Sequence, residues 1–193
     1  AMNHFLIWAA PLVLALLCLS YVLGRTPAAL RQRFGPYGKP ERKESWKSRI
    51  ARLVFNLFPC FWGSGGKVTY IAPDLREVRV RVPLTLRTRN YVGTIFGGSM
   101  FAATDPVLML ILIENLGKDY VVWDKAGSVR FRKPGRSTLY ARFLVSEADL
   151  AQIKTELKSA VKMDRTFRID LVDAAGTVHA EIERVVNIRR KQA

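Results

Sequence analysis

One segment of the sequence places a glycine pair where it can contact a reacting carbonyl. Gly97 and Gly98 open an apolar stretch with a helical pattern. Glycine lets the backbone approach a ligand closely, and the unpaired N–H groups at a helix N-terminus can polarise a carbonyl or hold an oxyanion. The pair is therefore a candidate oxyanion site. The alternative explanation is helix entry with tight packing.

The same stretch contains a single carboxylate, Asp105, which is the only group in the motif that can supply acid–base chemistry. A charge in an apolar helix requires a partner, a raised pKa or a pocket. Pro106 follows it, removes one helical N–H and leaves the carbonyl of Ala102 without its usual donor, so we expect a kink beside the acid. The alternative role for Asp105 is a structural hydrogen bond across a subunit interface.

A basic cluster surrounds a predicted turn at Pro134-Gly135. It consists of Arg130, Arg132, Lys133 and Arg136. Such a cluster can bind the phosphates of coenzyme A or of an acyl carrier group, and a solvated basic loop explains it equally well. 

Two other polar positions are interpreted as structural. Asp124-Lys125 can form a buried pair near a site, but an ion pair at a sheet edge is the favoured reading. His179 alternates with its apolar neighbours on the last predicted strand, so we expect it to face solvent.

These residues must be positioned by a helix and several strands. Gly97–Asn115 predicts a helix that is apolar nearly all round and therefore buried on most sides, and it is not a second membrane span because Asp105 and Pro106 interrupt it. A flexible break is predicted at residues 63–66, and a short helix begins near Ser146. The predicted strands are Lys67–Ile71, Glu77–Val82, Tyr120–Asp124 running into Ser128–Arg132, Thr138–Val145, Thr166–Val172 and Val178–Ile188. This pattern predicts an α+β domain over residues 63–193, with a curved antiparallel sheet around one central helix.

The order Asn90, Phe96, Gly97-Gly98 and Asp105 resembles the start of the central helix in hotdog-fold acyl thioesterases of the phenylacetate-pathway type and in their membrane-linked, DUF4442-like relatives. The resemblance covers roughly residues 65 to 190 and includes the basic turn. It implies a hotdog fold, a homodimer or higher homo-oligomer, and an acyl thioester substrate. It also implies that Asp105 is the general base or nucleophile, opposite the Gly97-Gly98 loop of a partner chain. Phe96 stands where the family most often has His.

Two functions follow from this resemblance. The first is a membrane-anchored thioesterase that hydrolyses long-chain acyl-CoA, with Asn90, Gly97, Gly98 and Asp105 as catalytic residues. Phe96, Arg132, Lys133 and Arg136 are then the substrate-binding candidates. The alternative is a non-catalytic acyl-chain or lipid-binding hotdog protein, which the missing His favours. We expect no cofactor. The sequence has no nucleophile elbow, which excludes a serine hydrolase of that type, and no ligand cluster, which excludes a metal site.

The N-terminal region predicts a membrane anchor. Phe5–Leu23 is a run of 19 residues without a charge, close to the roughly 20 residues that a spanning helix needs. A cleaved signal peptide is the alternative, but the run is long, no basic residue precedes it and no clear cleavage site follows. We therefore expect residues 1–24 to be an uncleaved anchor.

The charge distribution predicts the orientation of this anchor. The formal net charge is +15, and residues 25–52 contain nine Lys or Arg against two acids, whereas no Lys or Arg precedes the span. The positive-inside bias places the N-terminus outside the cytoplasmic (inner) membrane and the domain in the cytoplasm. Anionic lipids explain the basic excess better than nucleic acid, for which there is no recognisable module.

Residues 25–62 are predicted to connect the anchor to the domain. Residues 33–40 are rich in Gly and Pro and suggest a linker. An amphipathic helix is predicted after it, either packed on the domain core or lying at the membrane interface, and different faces can do both. Its apolar stripe consists of Trp46, Ile50, Leu53, Val54, Leu57, Phe58 and Phe61.

Overall fold

The computed structural model describes residues 32–191. Six strands form one antiparallel sheet in the order β1-β2-β4-β5-β6-β3. The strands are β1 (Lys67–Ile71), β2 (Glu77–Val82), β3 (Tyr120–Phe131), β4 (Leu139–Leu144), β5 (Lys162–Val172) and β6 (Val178–Arg190). The helices are α1 (Trp46–Leu57), α2 (Pro59–Ser64), α3 (Gly97–Ala102), α4 (Asp105–Leu116) and α5 (Glu147–Ser159), with a 3₁₀ turn at Gly35–Tyr37.

The core lies between the sheet and the pair α3–α4. Met100, Leu108 and Leu112 of these helices are buried against inward-facing residues of every strand, including Val80 and Ile182. The sheet and the helix pair each have an apolar surface, and each buries the apolar surface of the other. The α+β prediction of one sheet around a central helix is therefore confirmed.

The central helix is interrupted rather than continuous. α3 ends at Ala102 and α4 begins at Asp105, with Pro106 in its first turn. The N–H of Thr104 bonds back to the carbonyl of Phe101 at 3.1 Å, which closes a tight turn between the two helices. The expected kink beside Asp105 is thus a full break, because Pro106 cannot donate into the preceding turn.

The segment Gly97–Leu116 is long and apolar enough to cross a membrane by length and composition alone. Half of its most apolar window is buried inside the domain, as the core helix of a sheet-wrapped fold must be. The predicted anchor Phe5–Leu23 lies outside the described residues.

Residues 33–38 do not form the predicted linker, because they pack on the outer face of the sheet. Phe34 is buried against Tyr70, and a side chain at Gly35, where φ is +59°, would collide with the ring of Tyr140. Arg79 lies under this segment and donates to the carbonyl of Gly38 at 2.7 Å. The outer face of β2 is therefore covered here rather than exposed to solvent.

The predicted flexible break at residues 63–66 is a compact helix ending. Gly65 adopts φ +80° after α2, and both Gly65 and Gly66 are buried. A side chain at Gly65 would meet Thr88, and one at Gly66 would meet Ala103. The glycines are needed here for close packing rather than for flexibility.

Helix α1 seals the free edge of β1 with its polar face. Asn56 accepts from the N–H of Val68 at 2.8 Å and donates to its carbonyl at 2.9 Å. Glu44, just before the helix, accepts from the N–H of Ile71 at 3.0 Å, and Ser48 donates to the carbonyl of Ala72 at 3.2 Å. These side chains replace the hydrogen bonds that a further strand would make.

The apolar face of α1 consequently points away from the domain. We call it the outer stripe; its members are between 53% and 68% exposed. They are Trp46, Ile50, Leu53, Val54 and Leu57. Phe61 does not continue the stripe as predicted. It lies in helix α2, which was not predicted and which places its side chain in the core, where its ring centre is 4.6 Å from that of Phe55.

Candidate functional site

The start of α3 presents backbone amides that no side chain caps. Phe96 is the N-cap residue, and the first turn is closed by the N–H of Met100 bonding to the carbonyl of Phe96 at 3.2 Å. The amides of Gly97, Gly98 and Ser99 precede that bond, so they have no acceptor within the helix. They are the type of donor that can hold a developing oxyanion.

A side chain at either glycine would also crowd a phenylalanine ring. A Cβ at Gly97 would lie 2.6 Å from Cζ of Phe131, and one at Gly98 would lie 2.3 Å from Cε1 of Phe96. The Phe96 side chain itself is 56% exposed. Tight packing and a ligand-accessible backbone are therefore both features of this helix start.

Asn90 organises the loop that leads to α3. Its side chain donates to the hydroxyl of Thr94 at 2.9 Å and accepts from the N–H of Thr94 at 2.9 Å. The backbone carbonyl of Asn90 accepts from the N–H of Gly93, a residue with φ +81°. Both side-chain groups of Asn90 are thus engaged inside the loop.

Asp105 has the partner that its apolar surroundings require. Nη1 of Arg184, on β6, donates to Oδ1 of Asp105 at 2.5 Å. The Arg184 side chain is 3% exposed, whereas that of Asp105 is 55% exposed. A buried guanidinium therefore holds a carboxylate that still faces open space.

Arg184 is fixed by the break between α3 and α4. Its Nη2 donates to the carbonyl of Phe101 at 2.8 Å, and its guanidinium lies over the Phe101 ring at 3.9 Å. Gly127 on β3 leaves room for this arrangement, since a Cβ there would come within 2.9 Å of both Arg184 and Phe101. The Nε of Arg184 has no hydrogen-bond partner among the described residues.

A second carboxylate, Asp124, lies beside this pair. A β-bulge in β3 at Lys125 leaves Asp124 opposite Val186, on the inner face of the sheet. Burial raises the pKa of the Asp124 carboxyl, the charge of Asp105 raises it further, and Arg184 opposes both effects. Its Oδ1 is buried without a hydrogen-bond partner in the described part of the chain.

Asp124 and Lys125 therefore do not pair with each other. Lys125 bonds instead to Asp164 on β5, at the exposed surface. The expected ion pair between Asp124 and Lys125 is therefore not formed, because neighbouring side chains of a strand point to opposite faces of the sheet.

The basic turn lies next to the start of α3. The N–H of Ile95 donates to the carbonyl of Gly135 at 2.8 Å, which ties the two loops together. Arg132 pairs with Glu181 at 2.8 Å, whereas Lys133 and Arg136 are exposed and form no ion pair with a described residue. The structure thus brings part of the predicted basic cluster close to Phe96 and Gly97.

His179 does not face solvent as predicted. It is 8% exposed, its Nδ1 lies 3.0 Å from the carbonyl oxygen of Pro134, and its Nε2 lies 3.2 Å from Oδ2 of Asp173. Leu171 pairs with Ala180 and Val172 with Val178, so His179 is the extra residue of a β-bulge. The bulge directs the His179 side chain towards the basic turn, where it is buried against the backbone of Pro134.

The glycine amides and the carboxylate are not together within one chain. Asp105 follows Gly97 by eight residues and is separated from it by the whole of α3 and the break after it; α3 alone is roughly 9 Å long at about 1.5 Å per residue. One reacting carbonyl cannot contact both at hydrogen-bond distance. Among residues 32–191, no group of three or more His, Cys, Asp or Glu could hold a metal ion.

The architecture is that of the hotdog fold, as its similarity to solved structures shows. Protein PA5026 of Pseudomonas aeruginosa, described as of unknown function and a probable thioesterase, is 21% identical, with 74% of this chain and 95% of that chain covered and a TM-score of 0.66. Thioesterase HI1161 of Haemophilus influenzae is 12% identical, with coverage of 77% and 94% and a TM-score of 0.56. The E. coli PaaI protein of the phenylacetic acid degradation operon is 16% identical, with coverage of 77% and 94% and a TM-score of 0.52.

The sequence also identifies a family. The model of the domain of unknown function DUF4442 matches residues 47–188, so the chain belongs to the DUF4442 family. No curated protein matches the sequence.

Proposed function

We propose that this protein hydrolyses acyl thioesters. One observation carries the proposal: the half-exposed carboxylate of Asp105 is held by a buried arginine. The uncapped amides at Gly97 and Gly98 supply a complementary oxyanion site. The description of two structural neighbours as thioesterases or probable thioesterases supports this reaction class.

In the proposed reaction, Asp105 accepts a proton from water while the water oxygen attacks the thioester carbonyl carbon. The oxyanion of the tetrahedral intermediate is held by the amides near Gly97 and Gly98. The carbon–sulfur bond then breaks, and the proton passes to the leaving thiolate. Arg184 acts as a positioning residue, since it fixes Asp105 and does not contact the reacting atoms.

We propose that the site is completed by a second copy of the chain. The separation of Asp105 from the glycine amides within one chain supports a homodimer in which each site takes its carboxylate from one protomer and its amides from the other. A higher homo-oligomer built from such dimers satisfies the same requirement.

The proposed substrate is a long-chain acyl-CoA. The exposed ring of Phe96 beside the glycine amides favours an apolar acyl group, and the unpaired Lys133 and Arg136 next to it favour the phosphates of coenzyme A. 

We further propose that residues 5–23 anchor the enzyme in the cytoplasmic membrane, with its N-terminus outside and its domain in the cytoplasm. The basic excess after the apolar run supports this orientation. Protease added to intact spheroplasts should leave residues 25–193 uncut, and digestion from outside would contradict the orientation.

The second candidate function is acyl-chain or lipid binding without catalysis. Phe96, in place of the His that related thioesterases most often carry, favours it. Replacement of Phe96 by His should raise the activity of a weak thioesterase and leave a lipid binder inactive.

The deciding experiment measures hydrolysis of acyl-CoA of several chain lengths by the detergent-purified chain. Asp105→Asn keeps an acceptor for Arg184 but removes the base, so kcat should fall by roughly 10²–10⁴ with little change in melting temperature. Glu114→Gln, a carboxylate exposed on the same helix α4, is the matched control and should keep full activity. If the wild type hydrolyses no acyl-CoA and retains bound lipid, the binding function replaces the enzymatic one.

A further inference from the structure

The orientation of α1 is the reverse of that of an ordinary surface helix. An amphipathic helix normally buries its apolar stripe against the core and exposes its polar face. In α1 the polar residues Ser48 and Asn56 face the domain and bond to the backbone beside or in β1, while the outer stripe is exposed. Sealing the sheet edge explains the polar face and leaves the outward apolar face without a structural role.

The exposed apolar surface continues beyond α1. Phe58 and Trp62 are 60% and 57% exposed, and Leu86 in the neighbouring loop is 93% exposed. The guanidinium of Arg87 lies 4.3 Å from the centre of the Trp62 ring, which connects this loop to α2. Contiguous exposed apolar surface of this kind marks an interaction site.

Cations surround this surface. Lys43, Lys47 and Arg49 are exposed and form no ion pair with any described residue. Lys47 lies 5.8 Å from the Trp46 ring, at the border between the stripe and the charges. Tryptophan and basic residues flanking an apolar helix face are the composition of helices that lie in a bilayer interface.

We propose that the outer stripe of α1, together with Phe58 and Trp62, lies in the interface of an anionic lipid bilayer. The occupant is inferred from two features: the cationic rim, and the uncharged run at residues 5–23 that precedes α1 in the chain. A second copy fits less well, since a two-fold contact through this face would bring the same cations together. The docking is independent of hydrolysis and goes beyond the proposed function.

The contact fixes how the domain sits on the membrane. Because α1 is tied to β1 by side-chain hydrogen bonds, the β1 end of the sheet faces the lipid. The β3 end, which carries Asp105 and Arg184 behind it, lies at the opposite end of the six-stranded sheet. An anchor at residues 5–23 alone would leave this orientation free.

The test places nitroxide labels on the full chain. In a background with Cys18→Ser and Cys60→Ser, single cysteines are introduced as Leu53→Cys and Leu57→Cys. Val161→Cys is the matched control, since Val161 is 65% exposed in the loop between α5 and β5, away from α1. The protein is reconstituted in vesicles of phosphatidylcholine and phosphatidylglycerol. Collision with oxygen and with a water-soluble nickel chelate then gives the depth of each label.

Labels at 53 and 57 should lie about 5–10 Å below the phosphates and the label at 161 in water. Access of nickel to 53 and 57 equal to that at 161 would overturn the proposal, because a domain that only hangs from residues 5–23 gives that result. Shielding of 53 and 57 from both reagents would also overturn it, because protein then covers the stripe. Unchanged melting temperatures of the labelled variants establish that the fold is intact.

A second variant tests the cationic rim. Replacement of Lys43, Lys47 and Arg49 by Gln should make the labels at 53 and 57 shallower in vesicles with phosphatidylglycerol. In phosphatidylcholine alone, the rim should make no difference to depth. Equal depths for wild type and the Gln variant in both lipids would overturn the requirement for an anionic surface.

Discussion

The two edge strands of the sheet, β1 and β3, differ in whether side chains bond to their outer backbone groups. At β1, side chains of Glu44 and Asn56 bond to backbone groups that would otherwise face solvent. At β3, a strand of 12 residues, no described side chain bonds to the outer backbone groups. Trp123 and Phe131 on this strand are 68% and 54% exposed.

An unsealed edge of this length is a template for pairing with another chain. The β1 edge is closed to such pairing, so β3 is the edge that the proposed homodimer can use. The cluster of Asp105, Arg184 and Asp124 lies behind that same strand. The open edge and the candidate site therefore belong to one end of the molecule, and the sealed edge and the outer stripe belong to the other.

The largest expected effect is at the open end. Asp105→Ala removes the hydrogen-bonded acceptor of a buried guanidinium, so the free energy of unfolding should fall by about 3 kcal/mol. Asp105→Asn supplies another acceptor and should lower it by less than half as much. Urea unfolding in detergent measures both. Equal losses for Ala and Asn would mean that a neutral acceptor does not replace the carboxylate, so the hydrogen bond alone does not stabilise Arg184.

The next effect is at the sealed end. Asn56→Ala leaves the N–H and the carbonyl of Val68 without partners, which should lower the free energy of unfolding by about 2 kcal/mol. Gln152→Ala, an exposed helical amide that bonds only to side chains, is the control and should change it by less than about 0.5 kcal/mol. If the two variants unfold alike, α1 does not seal the edge.

The third prediction concerns assembly and changes stability little. In a two-fold pair of β3 strands, only the residue on the axis faces its own copy. Single cysteines introduced in turn at residues 123–131, with Cys18 and Cys60 replaced by Ser, should therefore form disulfide-linked dimers at one position and weakly at its neighbours. A flat, low yield along the whole strand would argue against pairing through this edge.

Much of the fold followed from local patterns. The alternation of Val78, Val80 and Val82 gave β2 its observed bounds, and Ser146 caps α5 as expected, with Asp149 completing a capping box. Arg184 was not predicted as a site residue, although its position in the sequence of β6 indicates one. It is the single charged residue among the buried inward positions of β6, which are otherwise Ala180, Ile182, Val186 and Ile188.

The prediction for His179 failed at a β-bulge. Its position was predicted from an unbroken period of two, and it lies where the register shifts between Leu171 and Val172. A bulge depends on pairing with the neighbouring strand, which a local pattern does not contain. The orientation of α1 was open for a similar reason, since amphipathicity defines a stripe and not the surface that it meets.

The smallest effect is the pH dependence of the open end. The folded-state pKa of Asp124 is raised by burial and by Asp105, so the folded protein holds this proton more tightly than the unfolded chain, whose Asp titrates near 3.9. Between these two pKa values the folded state binds more protons, and stability falls as the pH rises. Asp124→Asn removes that loss, so its stability relative to wild type should increase as the pH is raised from about 4 to about 7. Asp170→Asn, at an exposed position of β5, is the control. If both variants show the same pH dependence, the carboxyl of Asp124 is not held behind the open edge in the way that its buried, unpartnered oxygen indicates.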